Sequence, residues 1–322
     1  MRDAYILDLH ATGQAPDRPA ERLGAAVAAF DALHRSAFGE KRPVCWMSVS
    51  SSDGLVARGL GLLTGYSARV CGRDVGPGSG LGSLASAARA VTSGFESVAA
   101  AVSFGASVTD PVWPDALQAR FTRVADSQAQ QFALVRAGLE AQDVIDRTDA
   151  RRAERVEAGA SVVSLGMQGE LPHAPDTPGL GVVLLAGHQE IREHNWQTRA
   201  RITSVVEVGL DPALGPAAAA AAAEAALHRL HLRAEELDFV QVDARAAAAP
   251  SVVAKALGLG PEIVNPLGDA LTDGGAGAAE GLLGLKRLLT ALEEADRRFG
   301  LVVGLEPLGG ATAVVIDRQF YI

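Results

Sequence analysis

The stretch VGPGSGLGSLASAARAV, residues 75–91, places a glycine-crowded turn directly before an alanine-rich segment. Glycine lets the backbone adopt tight turns and approach another segment closely. The small side chains that follow have helical spacing and predict a helix over 83–93, which Gly94 would end. A buried strand is predicted next, over 97–107. The stretch therefore predicts a turn, a helix and a strand that pack tightly in an α/β protein.

The second half of the chain repeats this order of elements. TDGGAGAAEG (272–281) leads into a predicted helix over 282–295, and two apolar runs, 299–305 and 308–317, predict strands after it. Alternation of strands with helices favours right-handed crossovers and a largely parallel sheet in each half. The repeat predicts a duplicated α/β unit in which both glycine turns face one cleft.

The rest of the chain divides into two apolar halves and a polar segment between them. Residues 111–170 are rich in arginine, glutamine and acidic residues with helical spacing, and predict a helical cap over the core. Strand-like runs precede and follow this segment. We expect an N-terminal half formed by 1–110 with 171–205, the cap at 111–170, and a C-terminal half at 206–322.

Composition excludes several classes of function. The 322 residues are 48% hydrophobic and 5% aromatic, and the net charge is −9. An acidic chain with scattered arginines argues against a nucleic-acid partner and against binding to an anionic membrane. Cys45 and Cys71 are the only cysteines, so neither a disulfide framework nor a thiolate metal site is expected. The first residues lack a signal-peptide pattern, and we expect a cytoplasmic protein.

Several of these segments resemble the thiolase superfamily over nearly the whole chain. Residues 1–13 are similar to the first strand of acetyl-CoA acetyltransferases, and 129–166 are similar to their cap. The most specific likeness is in 201–248, and further likenesses are IVNPLGDAL (263–271) and RRFGLVVGLEPLGGATAVVIDR (297–318). The resemblance implies an α/β fold of two similar halves, with mixed five-stranded sheets in an α/β/α/β/α arrangement. It also implies acyl-CoA and lipid metabolism, and a dimer.

The resemblance also implies where catalytic groups would lie, and this chain departs from each of them. The nucleophilic cysteine of the family pattern Cys-x-Ser-Gly-Leu falls on Pro77, and the activating histidine of Gly-His-Pro falls on Gly275. The second cysteine falls near Glu306, and the asparagine of an Asn-Glu-Ala-Phe turn falls on Asp243. Proline and glycine offer no nucleophilic or basic side chain.

These departures favour a thiolase-like protein without thiolase chemistry. It would act as a non-catalytic partner of an active thiolase or of a small acyl-CoA-binding protein, or as a binding scaffold. The alternative is an active acyl-CoA acyltransferase or retro-aldolase that uses Ser79, Glu306, Asp243 or His173. A third hypothesis is a sensor that binds acyl-CoA without turnover. A CoA thioester is the ligand expected in each case, with no other cofactor.

Each of these candidates also has a structural interpretation. Ser79 lacks a matching histidine base, and its hydroxyl suits a helix cap. Asp243 and Arg245 are placed to form an ion pair in a loop, and Glu306 alone suits a solvated carboxylate. The spacing G-x-G-x-x-G of a dinucleotide loop fails because Ser83 stands at the third glycine, so an NAD(P) site is a weaker alternative. The histidines show no metal-ligand spacing, and no metal is expected.

Overall fold

The computed structural model describes residues 3–39, 46–51, 57–64, 73–75, 80–105, 126–175 and 177–320. Its strands are β1 (Ala4–Thr12), β2 (Trp46–Ser51), β3 (Arg73–Val75), β4 (Val98–Gly105), β5 (Gly166–Gln168), β6 (Leu171–His173), β7 (Gly179–Gly187), β8 (Ala200–Gly209), β9 (Phe239–Val242), β10 (Phe299–Glu306) and β11 (Gly310–Asp317). Its helices are α1 (Pro19–Phe38), α2 (Ala57–Leu63), α3 (Leu81–Thr92), α4 (Asp126–Ala137), α5 (Ala141–Glu157), α6 (His188–His194), α7 (Ala217–Leu230), α8 (Ala249–Leu257), α9 (Ala270–Asp273) and α10 (Glu280–Glu294).

The two halves have the same strand order in mirror image. The sheet runs β3-β2-β4-β7-β1-β8-β11-β10-β9. In the first half β7 is antiparallel to its neighbours β4 and β1, and in the second half β11 is antiparallel to β10 and β8. Within the halves, the pairs of β2 with β3 and β4 and of β9 with β10 are parallel. A parallel bridge from Val264 to Val240 in β9 takes the place of a fifth strand in the second half.

The two sheets are joined, which differs from the expectation of separate five-stranded sheets. Ala4–Ile6 of β1 pair antiparallel with Ala200–Ile202 of β8, so nine strands form one continuous sheet. The expected boundary between 205 and 206 falls inside β8. The α/β class and the duplicated layout of the prediction are confirmed, and the sheet count is the detail that changes.

The core is built in layers from small aliphatic side chains. Helices α3 and α10 lie at the centre, where their leucines and alanines pack against strands of both halves. Helix α1 covers the outer face of the first half, with Phe30 fully buried. Helices α7 and α8 cover the outer face of the second half, mainly through alanines. Alanine permits this close approach of helix to sheet, which accounts for a large buried core with few aromatic residues.

The described part of the cap contains two helices and a hairpin. Helix α5 begins at a capping box in which the Glu140 side chain accepts from the N3 backbone and the Asp143 side chain accepts from the Glu140 N–H. Strands β5 and β6 pair antiparallel in a segment expected to be helix and loop. Two arginines of α5 donate to backbone carbonyls of the second half, Arg152 to Leu271 at 2.8 Å and Arg151 to Val264 at 2.8 Å. The cap is thus attached to the second half. In the described part of the chain, no helix is long and apolar enough to cross a membrane.

Candidate active site at the meeting of two glycine segments

The first glycine segment meets the second at the start of α3. Gly80 is the N-cap residue and has φ +83°, a conformation that favours glycine. A Cβ atom on Gly80 would lie 2.9 Å from the carbonyl oxygen of Ala278 and 2.9 Å from the Ser103 side chain. The Ser103 hydroxyl donates a hydrogen bond to that same Ala278 carbonyl. The internal repeat therefore brings the two glycine segments into direct contact, and α3 begins at Leu81, two residues earlier than predicted.

Gly275, the residue at the histidine position of the resemblance, is held through its backbone. Its N–H donates to the Pro175 carbonyl at 2.9 Å, and its carbonyl accepts from the Thr177 hydroxyl at 2.8 Å. The next residue, Ala276, packs so closely on β7 that a Cβ on Gly179 would lie 2.0 Å from the Ala276 carbonyl oxygen. The segment 274–279 is thus fixed on the sheet by backbone contacts, and position 275 presents no side chain.

Asp243 forms the ion pair with Arg245 that the sequence suggested. The Asp243 side chain is completely buried, and its Oδ2 lies 2.6 Å from Nη2 and 3.0 Å from Nε of Arg245. The guanidinium also donates to the Gly277 carbonyl and to the Leu305 carbonyl, each at 3.3 Å. Burial of an unpaired carboxylate is costly, so loss of Arg245 alone would destabilise the protein. Through Arg245 it ties the second glycine segment to the end of β10.

Glu306 ends β10 beside the first turn of α3. Its Oε1 accepts a hydrogen bond from the Thr312 hydroxyl at 3.4 Å. A Cβ on Gly82 would lie 3.9 Å from the same Oε1. A carboxylate near the N-terminus of a helix is stabilised by the helix dipole. The structure therefore places Glu306 beside α3. In the family pattern, the nucleophile lies at the start of this helix.

Glu280 is a buried carboxyl group of this region that the sequence reasoning missed. It is the first residue of α10, with 2% of its surface exposed. Its Oε2 accepts from the Ala276 N–H at 2.7 Å and its Oε1 accepts from Arg287 Nη1 at 3.2 Å. Burial raises the pKa of Glu280 to about 7; Arg287 and Arg245 oppose this rise, and Asp243 adds to it. A lone acidic residue inside GGAGAAEGLLGL was the signal available in the sequence.

The remaining predicted candidates are placed as follows. Pro77 and Ser79 lie outside the described residues, as does the expected helix cap by the Ser79 hydroxyl. His173 ends β6, where it pairs with Gly166 of β5. Its Nδ1 is buried and has no hydrogen-bond partner in the described part of the chain. Asp243 is paired with the Arg245 guanidinium, and Glu306 accepts a hydrogen bond from the Thr312 hydroxyl.

Among the described residues, one group of side-chain types that can bind a metal lies on the surface, where the sequence predicted no metal site. Glu190, Glu193 and His194 of α6 have ligand atoms within 4.8 Å of one another. Two of the three are exposed, and His194 and Glu190 are spaced i,i+4 with 3.4 Å between Nε2 and Oε2. Such a pair is typical of a solvated helix face.

Comparison with known proteins gives a family match in the second half of the chain. Residues 196–318 match the family described as thiolase, C-terminal domain. The chain is 30% identical over 139 residues to the beta-ketothiolase BktB of Cupriavidus necator, and 31% identical over 143 residues to a 3-ketoacyl-CoA thiolase of Citrobacter koseri. These alignments cover 42% and 44% of this chain, and 34% and 37% of the two relatives. The matched region thus spans about a third of the length of these relatives.

Structural comparison extends the likeness of fold to the whole chain. The human mitochondrial 3-ketoacyl-CoA thiolase superposes with a TM-score of 0.78, covering 99% of both chains at 17% sequence identity. At that identity the superposition establishes the fold, and the C-terminal match establishes the relationship in sequence. Together, the comparisons show similarity to the thiolase C-terminal domain over residues 196–318 and the thiolase fold across both halves of the chain.

Proposed function

We propose that this chain is a thiolase-superfamily protein that does not itself catalyse thiolysis, and that it acts as a partner subunit or acyl-CoA-related binding scaffold. The observation that carries the proposal is Gly275. Activation of a nucleophile requires a base within hydrogen-bond reach. The position that would supply the imidazole has no side chain, and its backbone is committed to Pro175 and Thr177.

The other described positions support the same proposal. Asp243 is engaged by Arg245, which in turn binds two backbone carbonyls, so this pair has a structural task. Glu306 has a carboxylate near the position where the family pattern has its second, acid–base cysteine, so the thiol of that position is missing as well. Pro77, known here from sequence alone, offers no reactive group. The groups of the family pattern are replaced together, while the glycines that shape the backbone are kept.

We infer a cytoplasmic homodimer, or a heteromer with an active thiolase or a small acyl-CoA-binding protein. Its ligand would be a CoA thioester, and nucleic acid and membranes are not expected partners at a net charge of −9. The preserved fold supports this inference by analogy alone, since a shared framework can offer the surfaces that relatives use for assembly. A chain with two cysteines in 322 residues suits a reducing compartment.

Thiolysis of acetoacetyl-CoA by the purified chain tests the proposal. We expect no turnover above the rate without protein, for both the wild type and Ser79→Ala. Turnover by the wild type that disappears in Ser79→Ala would overturn the proposal. A pull-down at native expression followed by mass spectrometry should recover a cysteine-bearing thiolase or a small acyl-CoA-binding protein. Calorimetry with CoA esters distinguishes a scaffold that binds the ligand from a subunit whose role is purely structural.

A second candidate function is acyl transfer or retro-aldol cleavage by substituted residues. Glu280 favours it, because a buried carboxyl group with a pKa of about 7 is suited to general acid–base catalysis near neutral pH. Glu306 beside the first turn of α3 favours it as well. This hypothesis predicts turnover that falls at least about a hundredfold in Glu306→Gln, the usual loss for a general acid or base. An unchanged rate in that variant would exclude Glu306 from the chemistry.

A further inference from the structure

A concave region borders the second glycine segment. It is a cleft of about 660 Å³ between α10, the residues at the end of β1 and the segment that leads into β7. Its walls include residues 11–14, Thr177 and Gly274, so it lies on one side of the second glycine segment. Neither Asp243, Glu306 nor Gly80 is among the residues that line it. The volume falls within the range of sites for small ligands.

Lys286 supplies a positive charge in this cleft that lacks a carboxylate partner. Its Nζ donates one hydrogen bond, to the Ala11 carbonyl at 3.0 Å. Within the described ranges no aspartate or glutamate oxygen lies within 4.0 Å of this ammonium group. An ammonium group has three donors, so the single contact to Ala11 leaves capacity for an anion. The side chain is exposed, as access by a ligand requires.

The two arginines that line the cleft contact carboxyl groups, whereas Lys286 contacts none among the described residues. Arg287 and Arg155 both contact Asp273, at 3.1 Å and 3.3 Å, and Arg287 also contacts Glu280 at 3.2 Å. Glu294 lies on the same helix as Lys286 but two turns further on. At a rise of 1.5 Å per residue the two are separated by roughly 12 Å along the axis, too far for an ion pair.

The same cleft offers apolar surface beside its cations. Leu283 is one helical turn before Lys286 and is 9% exposed, and it packs with Ala11 in a small apolar cluster. Val163 also lines the cleft. A ligand held here would place an anionic group at the ammonium and a short apolar portion on this surface. Small-molecule sites commonly combine an apolar lining with a few charged groups that fix orientation.

We propose that this cleft binds a small organic anion whose carboxylate or phosphate group pairs with Lys286. The cleft contains none of the side chains proposed for acyl-CoA chemistry, although Thr177, which holds the Gly275 backbone, also lines it. A negative result for anion binding in the cleft therefore does not test the proposed acyl-CoA function, and the reverse also holds.

Amine labelling of the full chain tests the proposal directly. The sequence contains three lysines, at 41, 255 and 286, and Lys255 is an exposed residue of α8 that lies outside the cleft. The protein is acetylated with a limiting amount of an amine-reactive acetylating reagent at constant ionic strength. Inorganic phosphate or butyrate is present as the probe. Modification of each lysine is followed by mass spectrometry. At about ten times the dissociation constant of the probe, Lys286 labelling should slow roughly tenfold, because about one site in ten is then free. Labelling of Lys255 should not change.

Lys286→Gln and the matched control Lys255→Gln provide the second measurement. Each removes one lysine charge from a helix surface. Thermal stabilisation by the effective probe should persist in Lys255→Gln and require roughly tenfold more probe in Lys286→Gln, as expected for loss of a charged hydrogen bond. Protection by phosphate alone would assign a phosphate-bearing ligand, and protection by butyrate alone a carboxylate. Equal labelling of Lys286 with and without both probes overturns the proposal, as does equal stabilisation of the two variants.

Discussion

Replacement of Glu280 by glutamine should change how the stability of the protein depends on pH. Burial raises the pKa of this carboxyl group from 4.5 to about 7 in the folded protein. A carboxyl group whose pKa is raised by folding binds its proton more tightly in the folded state than in the unfolded state. Its contribution to stability is therefore fully present below about pH 4.5 and is lost as the pH rises to about 7 and beyond.

The size of the effect follows from the same shift. One pKa unit corresponds to 1.36 kcal/mol, so a rise from 4.5 to about 7 corresponds to about 3 kcal/mol. Glutamine keeps the shape of the side chain and does not titrate. The free energy of unfolding of the wild type minus that of Glu280→Gln should thus fall by about 3 kcal/mol between pH 4.5 and pH 8. Glutamine has one acceptor oxygen where glutamate has two, and this change in hydrogen bonding shifts the difference at every pH without changing its pH dependence.

Urea unfolding followed by circular dichroism at several pH values measures this difference. Glu294→Gln is the matched control, because Glu294 is an exposed acidic residue of the same helix. The control should follow the wild type within about 0.5 kcal/mol across the range, as surface substitutions usually do. A constant difference between wild type and Glu280→Gln from pH 4.5 to pH 8 would refute the reasoning. It would mean that the folded carboxyl group titrates as it does in the unfolded chain.

Two further substitutions test the framework around the candidate site. Gly179→Ala places a Cβ 2.0 Å from the Ala276 carbonyl oxygen and should lower the free energy of unfolding by about 3 kcal/mol or more, whereas Gly209→Ala, with open space, should change it by less than about 1 kcal/mol; equal urea midpoints would contradict this. Arg245→Ala should cost about 3–5 kcal/mol by stranding the buried Asp243 carboxylate, and adding Asp243→Asn should restore at least half of the loss. Failure of the double variant to recover in a thermal melt would show that Arg245 acts through its backbone contacts instead.

Much of the fold could be predicted because its elements are marked locally. Glycine turns followed by alanine or leucine helices predicted α3 and α10, and continuous apolar runs predicted β4, β7 and β10. The direction of the strands could not be predicted in the same way. A strand buried on both faces has the same apolar composition whether it is parallel or antiparallel, so the alternation of elements alone could not identify β7 and β11 as the antiparallel members.

In the candidate site too, contacts between residues near in sequence could be predicted, and contacts between distant segments could not. The Asp243–Arg245 pair was anticipated because its members are two residues apart in one loop. Glu280 was missed because its burial and its contact with Arg287 depend on where α10 packs. The pattern of residues in one sequence does not reveal this packing. The closeness of Glu306 to Gly82 likewise depends on two segments more than 200 residues apart that meet only in the folded chain.

The position of β1 also has a consequence for biosynthesis. This strand lies between β7, which it contacts along residues 180–187, and β8, which it contacts at 200–202. During translation β1 leaves the ribosome well before either neighbour, because residues 13–178 lie between β1 and β7. Contacts of such wide sequence separation slow folding and leave an apolar edge exposed meanwhile. A ribosome paused before residue 180 should carry a nascent chain that chaperones hold, and release past residue 202 should let it close.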